Sequence, residues 1–515
     1  MPISLPTRLN IAEHFLARPA REHPSRIAVQ GEPRPYTYRE LAAMAERAAG
    51  ALLDAGCRRG DRVLVVLPDS AEFIAGFFGI VRIGAIAVPV NSGAPVSDYA
   101  HFLADCAPRF AIVAASRLEA LLESGKASGI ERLIVVGGPA PKGKSPRATR
   151  WEECLAAAPA VTEAADTAAS EPAFFLYTSG SGGTPKAAVH RHQDMIVTFE
   201  CYARGVLGLH AEDRTLSVSK LFFAYGMGNG MYFPLGVGAS TILYPARPRP
   251  EAIAEMVSRY RPTAFFAVPT FYGALLGQME RGLRVDFSSV RLAVSAGEPL
   301  PAELFTRCRE RLGIEILDGI GSTEMLHMFL SPRPGAARPG SCGIEVPHYE
   351  ACVVDEEGQP VERGEIGNLL VRGESAFAGY WNKPELTERT KRGDWVVTGD
   401  KFFQDEDGYF HHCGRSDDMM KVSGMWVSPG EVENALLAHE GIAEAAVVGR
   451  SFDGLMKPVA YVVARTERVN EVEFAGGLRE FLRGRLAGHK IPVEFHLVRE
   501  LPKTATGKIQ RYKLR

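Results

Sequence analysis

The sequence of 515 residues predicts an α/β fold with mostly parallel sheets, followed by a smaller, separate C-terminal α/β domain. Short apolar runs alternate with helical stretches through the first part of the chain, which is typical of parallel strands covered on both faces. After Pro339, glycines and charged residues surround short alternating strands, and this pattern predicts an antiparallel or barrel-like unit. After Arg415, helical and strand patterns mix again in a compact unit.

In the large unit, Arg62–Leu67 (RVLVVL) is predicted to form a buried strand, and a helix is predicted to start near Ser70. Residues 138–171 interrupt the series that follows; they are rich in Ala, Pro, Lys and Glu, and we interpret them as a surface excursion. Apolar runs predict the further strands at 85–90, 110–114, 132–136, 174–177, 239–244, 264–268, 292–295 and 314–317.

Beyond Pro339 the predicted strands are short, at 349–355 and 367–372. The last residues, 502–513, are rich in lysine and contain a glycine, which predicts a mobile surface loop. Between these two regions the C-terminal unit is predicted to contain a helix from Pro429 and a second helix at 472–486. Two strands are predicted between them, at 443–449 and 459–464.

Composition excludes several classes of protein. The formal net charge is −2, so the chain lacks the basic excess of a nucleic-acid-binding domain. The most apolar stretch, 73–90, contains Arg82 and predicts a buried helix and strand rather than a membrane span. The N-terminus lacks the apolar core of a secretory signal, and the eight scattered cysteines show neither a C-x-x-C pair nor zinc spacing. We therefore expect a cytoplasmic protein with reduced thiols, either a monomer or a homodimer, that binds neither nucleic acid nor membrane.

A loop suited to binding phosphate follows the apolar run at 174–176. Tyr177–Lys186 reads YTSGSGGTPK, in which glycines let backbone N–H groups approach an oxyanion, hydroxyls add donors and the lysine adds charge. A Walker A loop is excluded because Lys186 follows Pro185 and precedes Ala187. Taken alone, the segment is equally compatible with an ordinary Gly/Ser turn.

Further motifs follow this loop in a fixed order: GIGSTE at 319–324, TGD at 398–400, GRSDD at 414–418 with KVSG at 421–424, and PKTATGK at 502–508. The ordered set resembles the adenylate-forming, acyl-activating superfamily of acyl- and aryl-CoA ligases, luciferases and peptide-synthetase adenylation domains. The resemblance covers essentially the whole chain. It implies a large N-terminal domain, 1–413, of two mostly parallel α/β sheets plus a small β-barrel-like unit, a hinge at 414–418, and a small C-terminal α+β lid domain at 419–515.

The resemblance also implies a reaction in two steps. A carboxylate attacks the α-phosphate of ATP and expels pyrophosphate, and the thiol of coenzyme A then displaces AMP. Such chemistry depends mainly on charge stabilisation at the phosphates. The resemblance implies that Lys508 bridges the attacking carboxylate and the α-phosphate as the adenylation catalyst. It places Thr323 at the α-phosphate and makes Glu324 the metal ligand, for Mg²⁺, a hard ion that suits carboxylate and phosphate oxygens.

For the nucleotide, the resemblance assigns the ribose hydroxyls to Asp400, supported by Arg415, and places adenine between 296–299 and 319–321. This chain departs from the family pattern at Gly182 and Ala187, which replace the usual Thr or Ser and the usual Gly. Ile320 also stands where many relatives have an aromatic residue. The implied ATP- and AMP-binding set is Thr178, Ser179, Gly180, Ser181, Lys186, Gly297, Glu298, Pro299, Asp318, Gly319, Ile320, Asp400 and Arg415.

In the same family the small domain rotates about a hinge residue, which matches Asp417. That rotation would withdraw Lys508 and bring Ser423 and Gly424 to the coenzyme A tunnel. A glycine at this point would let the pantetheine chain pass close to the backbone.

The segments 219–229 (SKLFFAYGMGN) and 319–329 (GIGSTEMLHMF) closely resemble the benzoate-CoA ligase branch. Small residues with one aromatic wall suit a flat arene. Benzoate, aminobenzoate and hydroxybenzoate all stay open as substrates. A carrier-loading aryl-adenylating enzyme and a slow or regulatory nucleotide-binding relative also stay open, while plain core packing is the alternative for the aromatic residues. The implied pocket for the aromatic acid is Phe223, Ala224, Tyr225, Ala296, Gly321, His327 and Met328.

Overall fold

The computed structural model describes residues 3, 5–141, 146–179, 184–422, 425–452, 455–466, 470–503 and 509–515. Two large, mostly parallel sheets, an antiparallel unit and a small C-terminal α/β unit confirm the predicted fold class. No helix in these ranges is long and apolar enough to cross a bilayer. All eight cysteines are free thiols. The exact domain boundaries at 413 and 419 stay a prediction.

The first large sheet has eight strands, six of which run parallel, while 185–191 and 379–380 are added through antiparallel pairs. Strand 62–66 shows why both faces are covered: Val63 and Val65 enter one hydrophobic core, and Leu64 and Val66 enter another. The strand order is 379–380, 185–191, 172–179, 86–89, 62–66, 110–114, 132–136 and 147–150. Its associated helices are 38–54, 71–82, 96–106, 115–123 and 151–157.

The predicted helix start at Ser70 is confirmed. The Ser70 hydroxyl accepts a hydrogen bond of 3.2 Å from the backbone N–H of Phe73, which caps helix 71–82. This helix is buried along nearly its whole length, as expected for the most apolar stretch of the chain. Arg82 is buried at its end, where Nε donates to the carbonyl oxygen of Val161 over 2.6 Å.

The interpretation of 138–171 as a surface excursion is wrong for its central part. Residues Arg147–Arg150 form the edge strand of the first sheet, and Trp151–Ala157 form a helix. Trp151 is 4% exposed and belongs to the main core. An edge strand needs no continuous apolar run because much of its surface faces solvent, so the sequence RATR gives no strand signal.

The second large sheet has seven strands, all parallel except the last. Their order is 316–318, 292–295, 264–267, 214–217, 240–242, 27–30 and 36–37. Helical segments around this sheet and at the N-terminus are 13–17, 18–22, 192–198, 199–204, 224–227, 228–232, 233–236, 250–260, 269–280 and 302–312.

The remaining units are antiparallel or mixed. One sheet contains 350–354, 367–372, 391–392, 395–404 and 410–415, and a smaller one contains 320–321, 328–331 and 344–345. The C-terminal unit has the hairpin 420–422 and 425–427, the sheet 442–452, 455–464 and 494–497, and helices 429–437 and 471–483. Shorter helices are 127–129, 384–390, 488–490 and 511–513. Residues 504–508 of the predicted terminal loop lie outside the described residues.

Candidate active site

A lysine, a glutamate and a tyrosine from three segments meet beside the hairpin of strands 172–179 and 185–191. Lys186, on the second strand, donates a hydrogen bond of 2.6 Å from Nζ to the Tyr380 hydroxyl, and its Nζ lies 3.9 Å from Glu324 Oε1. The Tyr380 hydroxyl in turn donates to Glu324 Oε1 over 2.5 Å. The structure therefore brings together the predicted phosphate-binding lysine and the predicted Mg²⁺ ligand.

The charge of Lys186 depends on its neighbours. Burial lowers its pKa, the Glu324 carboxylate opposes that shift, and the charge of Arg415 adds to it. A cation beside a carboxylate is an arrangement that fits a metal–phosphate group, since the cation can meet phosphate oxygens and the carboxylate can meet the metal. Mg²⁺ is commonly held by one or two carboxylates plus substrate phosphates, so a single protein carboxylate is compatible with it.

Tyr380 was not predicted from the sequence, although its hydroxyl contacts both Lys186 and Glu324. Its short strand pairs antiparallel with strand 185–191, so that Tyr380 lies opposite Ala188. Burial and the nearby Glu324 carboxylate raise the pKa of Tyr380, which keeps its hydroxyl protonated as a donor. A single tyrosine carries no motif, so only the long-range strand pairing reveals it.

The backbone of the predicted catalytic pair is fixed from several directions. The carbonyl oxygen of Thr323 accepts hydrogen bonds from His190 Nε2 at 2.8 Å and from the backbone N–H of Leu326 at 3.1 Å. The carbonyl oxygen of Glu324 accepts from the backbone N–H of Phe377 at 2.7 Å. The side chains of Thr323 and Glu324 therefore project from a constrained loop.

Asp400 is a buried carboxylate held by a histidine and an arginine side chain. His412 Nε2 lies 3.4 Å from Asp400 Oδ1, and Arg415 Nη1 donates to the same oxygen over 3.1 Å. Burial alone would raise the pKa of Asp400, but His412 and Arg415 together hold it below its ordinary value. An ionised carboxylate can accept from two vicinal hydroxyls, as the predicted ribose contact requires.

The glycine of the TGD motif has a structural reason. Gly399 has a φ of +75°, and a Cβ there would lie 2.8 Å from Arg415 Nη2. A side chain at this position would therefore strain the backbone and displace the guanidinium that supports Asp400. His412 was not predicted, because its position beside Asp400 depends on the pairing of strands 395–404 and 410–415, in which His412 lies opposite Phe402.

The two predicted adenine-binding segments follow the carboxyl ends of neighbouring parallel strands, 292–295 and 316–318. The backbone N–H of Gly319 donates to the carbonyl oxygen of Ser295 over 3.0 Å, and Gly297 takes a φ of +87°. Crevices at the carboxyl ends of parallel strands are the usual ligand sites of open α/β sheets. The same two segments contain the other predicted residues Glu298, Pro299 and Ile320, and Asp318 is the last residue of the strand before the second segment.

Asp318 should make stability depend on pH. It is buried, and burial raises its pKa from 3.8 to about 8. Between these values the folded chain holds a proton that the unfolded chain has released, so stability should fall as pH rises through this window. We expect Asp318→Asn to flatten that fall, measured as denaturant midpoints at about pH 6 and about pH 8. Replacement of the exposed Asp394 by Asn is the control. An equal fall of the denaturant midpoint between the two pH values in Asp318→Asn and in the wild type would contradict the raised pKa of Asp318.

Tyr225 and Gly321 of the predicted acid pocket lie against His327. The His327 ring centroid lies 5.7 Å from that of Tyr225, 5.1 Å from that of Tyr202 and 4.6 Å from that of Phe233. Gly321 packs directly on this residue, since a Cβ there would lie 2.4 Å from the His327 carbonyl oxygen. Tyr202 and Phe233 were not predicted; they lie on the separate helices 199–204 and 233–236, and their approach depends on tertiary packing.

The other predicted pocket residues adjoin Tyr225 and Gly321 in the chain or through strand pairing. Met328 pairs with Gly321 across a short antiparallel ladder. The Tyr225 hydroxyl donates toward the carbonyl oxygen of Val294 over 3.2 Å, in the strand that Ala296 follows. Two residues precede Tyr225 at the start of its helix: Ala224 is the first helical residue, and Phe223 packs its ring against Phe222 at 4.3 Å between centroids.

His327 is a buried polar group without a hydrogen-bond partner on either ring nitrogen among the described residues. Burial lowers its pKa to about 3, so the ring is neutral at physiological pH. A neutral imidazole offers one donor and one acceptor. A neutral imidazole among aromatic rings suits contact with a small aromatic acid, with or without a hydrogen-bonding substituent.

Some predicted residues are not tested by these contacts. Thr178 lies opposite Lys186 in the hairpin, and Ser179 is the last residue of its strand. Asp417 lies in the turn after strand 410–415, where its carbonyl oxygen accepts from Arg515 Nη2 over 2.9 Å. Its hinge role stays a prediction. The predicted residues Gly180, Ser181, Ser423, Gly424 and Lys508 lie outside the described residues.

Comparison with known families assigns the class of protein. The family described as "AMP-binding enzyme" matches residues 16–381, and "AMP-binding enzyme C-terminal domain" matches 431–508. Together with the fold and the Lys186–Glu324 cluster, these matches define an adenylate-forming enzyme.

The relatives narrow this class. A benzoate–CoA ligase of Thauera aromatica is 41% identical over 100% of this chain and 97% of its own length. A 4-hydroxybenzoate–CoA/benzoate–CoA ligase of Rhodopseudomonas palustris is 37% identical, over 98% of this chain and 94% of its own length. The crystal structure of the anthranilate CoA ligase AuaEII with anthranoyl-AMP has a TM-score of 0.94 at 40% identity, covering 99% of this chain and 97% of that one. The chain belongs to the benzoate–CoA ligase family of the adenylate-forming superfamily.

Proposed function

We propose that this chain is an AMP-forming acid–CoA ligase that converts a small aromatic carboxylate first to an aryl-adenylate and then to an aryl-CoA thioester. The observation that carries the proposal is the full-length identity of 41% with a benzoate–CoA ligase. The site supports it, because one loop, 322–327, contains Thr323 and Glu324 as well as His327 of the aromatic cluster. An acid bound beside His327 would therefore lie close to the phosphate-binding residues.

In the first step, the carboxylate of the acid attacks the α-phosphorus of ATP, and pyrophosphate leaves. Lys186 would contact the leaving phosphates, Thr323 the α-phosphate, and Lys508 the attacking carboxylate. Glu324 would hold Mg²⁺, which when bound neutralises charge on the phosphate oxygens. Asp400 would fix the ribose, with its own orientation set by Arg415 and His412.

In the second step, the coenzyme A thiol attacks the acyl carbon, and AMP leaves. We propose that the lid turns about Asp417 between the two steps and that Ser423 and Gly424 then line the path of the pantetheine chain. ATP, Mg²⁺ and coenzyme A are accordingly the expected cosubstrates and metal. The cytoplasm is the proposed location, as a monomer or a homodimer.

The test is pyrophosphate release against benzoate, aminobenzoates, hydroxybenzoates, cinnamate and short fatty acids, with and without coenzyme A. Turnover with an arene carboxylate, with AMP and aryl-CoA as products, is the expected result. If the enzyme forms aryl-AMP but transfers the acyl group to a phosphopantetheinyl carrier protein and not to coenzyme A, the chain is instead a carrier-loading enzyme. ATP binding without turnover of any acid would contradict both coenzyme A ligation and carrier loading. Gly182→Thr would then be the first variant to test, because relatives usually have Thr or Ser at this position.

A further inference from the structure

His190 is a fully buried histidine on strand 185–191 that the proposed reaction does not use. Its Nε2 lies 2.8 Å from the carbonyl oxygen of Thr323. A carbonyl oxygen only accepts, so Nε2 carries the hydrogen of this bond. The ring stacks on Phe174, with centroids 5.2 Å apart and planes inclined by 19°. The strand therefore aims one N–H group at the loop that contains Thr323 and Glu324.

Asp194 holds the opposite side of the imidazole. Its Oδ2 lies 3.0 Å from His190 Nδ1 and accepts the backbone N–H of Arg191 at 3.0 Å. Its Oδ1 accepts from Arg191 Nε, also at 3.0 Å. Asp194 is fully buried and accepts two hydrogen bonds from Arg191 besides its contact with His190 Nδ1, so it cannot turn without leaving buried groups unpaired. The carboxylate thereby fixes which way the His190 ring faces.

The same network reaches Glu324 from a second direction. Arg191 Nη2 donates to the carbonyl oxygen of Ala376 over 2.8 Å. The next residue, Phe377, donates its backbone N–H to the carbonyl oxygen of Glu324 over 2.7 Å. The Arg191–Asp194 pair therefore links to both supports of the Thr323–Glu324 backbone, one through His190 and the other through residues 376–377.

We infer that His190 is a positioning residue for adenylation, oriented by Asp194, and that it holds Thr323 and Glu324 where the α-phosphate and Mg²⁺ need them. The inference rests on the proposed function, since the precise placement of these two side chains matters only if they act on a metal-bound nucleotide. His190 touches neither reactant; it acts through the Thr323 carbonyl group. Displacement of reacting groups by about 1 Å can cost on the order of 10²-fold in rate.

Two amide substitutions separate this role from general packing. In His190→Gln, the side-chain NH₂ can occupy the place of Nε2 and donate to Thr323. In His190→Asn, the shorter amide reaches Asp194 but not Thr323. We expect pyrophosphate release by His190→Asn to show a kcat lower by on the order of 10²-fold, a higher Mg²⁺ concentration for half-maximal rate and an unchanged KM for the acid. His190→Gln should recover most of the rate.

His192→Asn is the matched control. His192 lies two residues away and is buried like His190. Its Nδ1 accepts a 3.3 Å hydrogen bond from the backbone N–H of Ile11, which belongs to the N-terminal segment and not to the Thr323–Glu324 loop. Melting temperatures of all variants report the cost to folding. Equal rates and Mg²⁺ dependence in His190→Asn and His190→Gln would overturn the inference, as would equal kinetic losses in His190→Asn and His192→Asn. Absence of any acyl-AMP formation by the wild type would instead refute the proposed function.

Discussion

Replacement of Lys508 by alanine is expected to abolish aryl-AMP formation while sparing conversion of supplied aryl-AMP to the thioester. Charge shifts onto the α-phosphate and its oxygens as the carboxylate attacks, and an ammonium group placed there lowers the barrier. Loss of one such electrostatic contact typically reduces kcat by on the order of 10²–10³-fold. Attack of a thiol on a finished adenylate needs no such bridge between carboxylate and phosphate, so the second step should keep its rate.

Contacts on either side of residues 504–508 hold the terminal segment independently of the Lys508 side chain. Lys503 pairs with Glu444 at 2.7 Å and forms an antiparallel bridge with Ile509. Arg511 pairs with the buried Glu433 at 2.7 Å. These contacts do not involve the Lys508 side chain, so the C-terminal unit should keep its fold when only Lys508 is replaced.

The measurement for Lys508→Ala is ATP–pyrophosphate exchange for the first step and AMP release from synthetic aryl-AMP and coenzyme A for the second. Lys513→Ala provides the control, since Lys513 is an exposed lysine of the same terminal segment. Equal losses in the two half-reactions would reject Lys508 as the adenylation residue. A loss of the same size in Lys513→Ala would point to disruption of the whole terminal segment.

The buried strands could be predicted from sequence because their residues face apolar cores on both sides. The run predicted at Arg62–Leu67 forms strand 62–66, and the helix predicted from Pro429 begins there. Strand 147–150 could not be predicted, because an edge strand with the sequence RATR carries no apolar signature. Its position depends on pairing with strand 132–136 and on burial of Trp151, which local sequence does not encode.

The same distinction applies to the site. Lys186, Glu324 and Asp400 lie in motifs whose order along the chain identifies them. Tyr380 lies 194 residues from the lysine that it contacts, and a strand of two residues brings them together. His190 likewise meets Thr323 across 133 residues. Sequence motifs therefore predict the residues that could contact the substrate. The residues that orient these motif residues are brought to them by tertiary contacts, and the local sequence around them shows no recognisable pattern.

Glu324→Gln is expected to reduce adenylation by about 10²-fold or more and to raise the Mg²⁺ concentration needed for half-maximal rate. The amide has nearly the same shape and can still accept the hydrogen bond from Tyr380, but it lacks the charge that attracts a hard cation. A metal ion at a phosphoryl group contributes several kcal/mol of charge stabilisation, and each 1.4 kcal/mol corresponds to about tenfold in rate. Loss of most of the bound metal should therefore dominate the kinetic effect.

A second consequence concerns pH. The Glu324 carboxylate raises the pKa of Lys186 against the effect of burial, so its removal should lower that pKa further. Lys186 would then lose its proton at a lower pH, and the alkaline limb of the pH–rate profile should move toward neutrality. The profile of Glu324→Gln is measured at saturating Mg²⁺, with Glu357→Gln, an exposed glutamate, as the control. If Glu324→Gln needs the same Mg²⁺ concentration for half-maximal rate as the wild type, Glu324 is not a metal ligand. An unchanged alkaline limb would show instead that Lys186 does not titrate with activity, because the carboxylate 3.9 Å away would then have no influence on the protonation that matters.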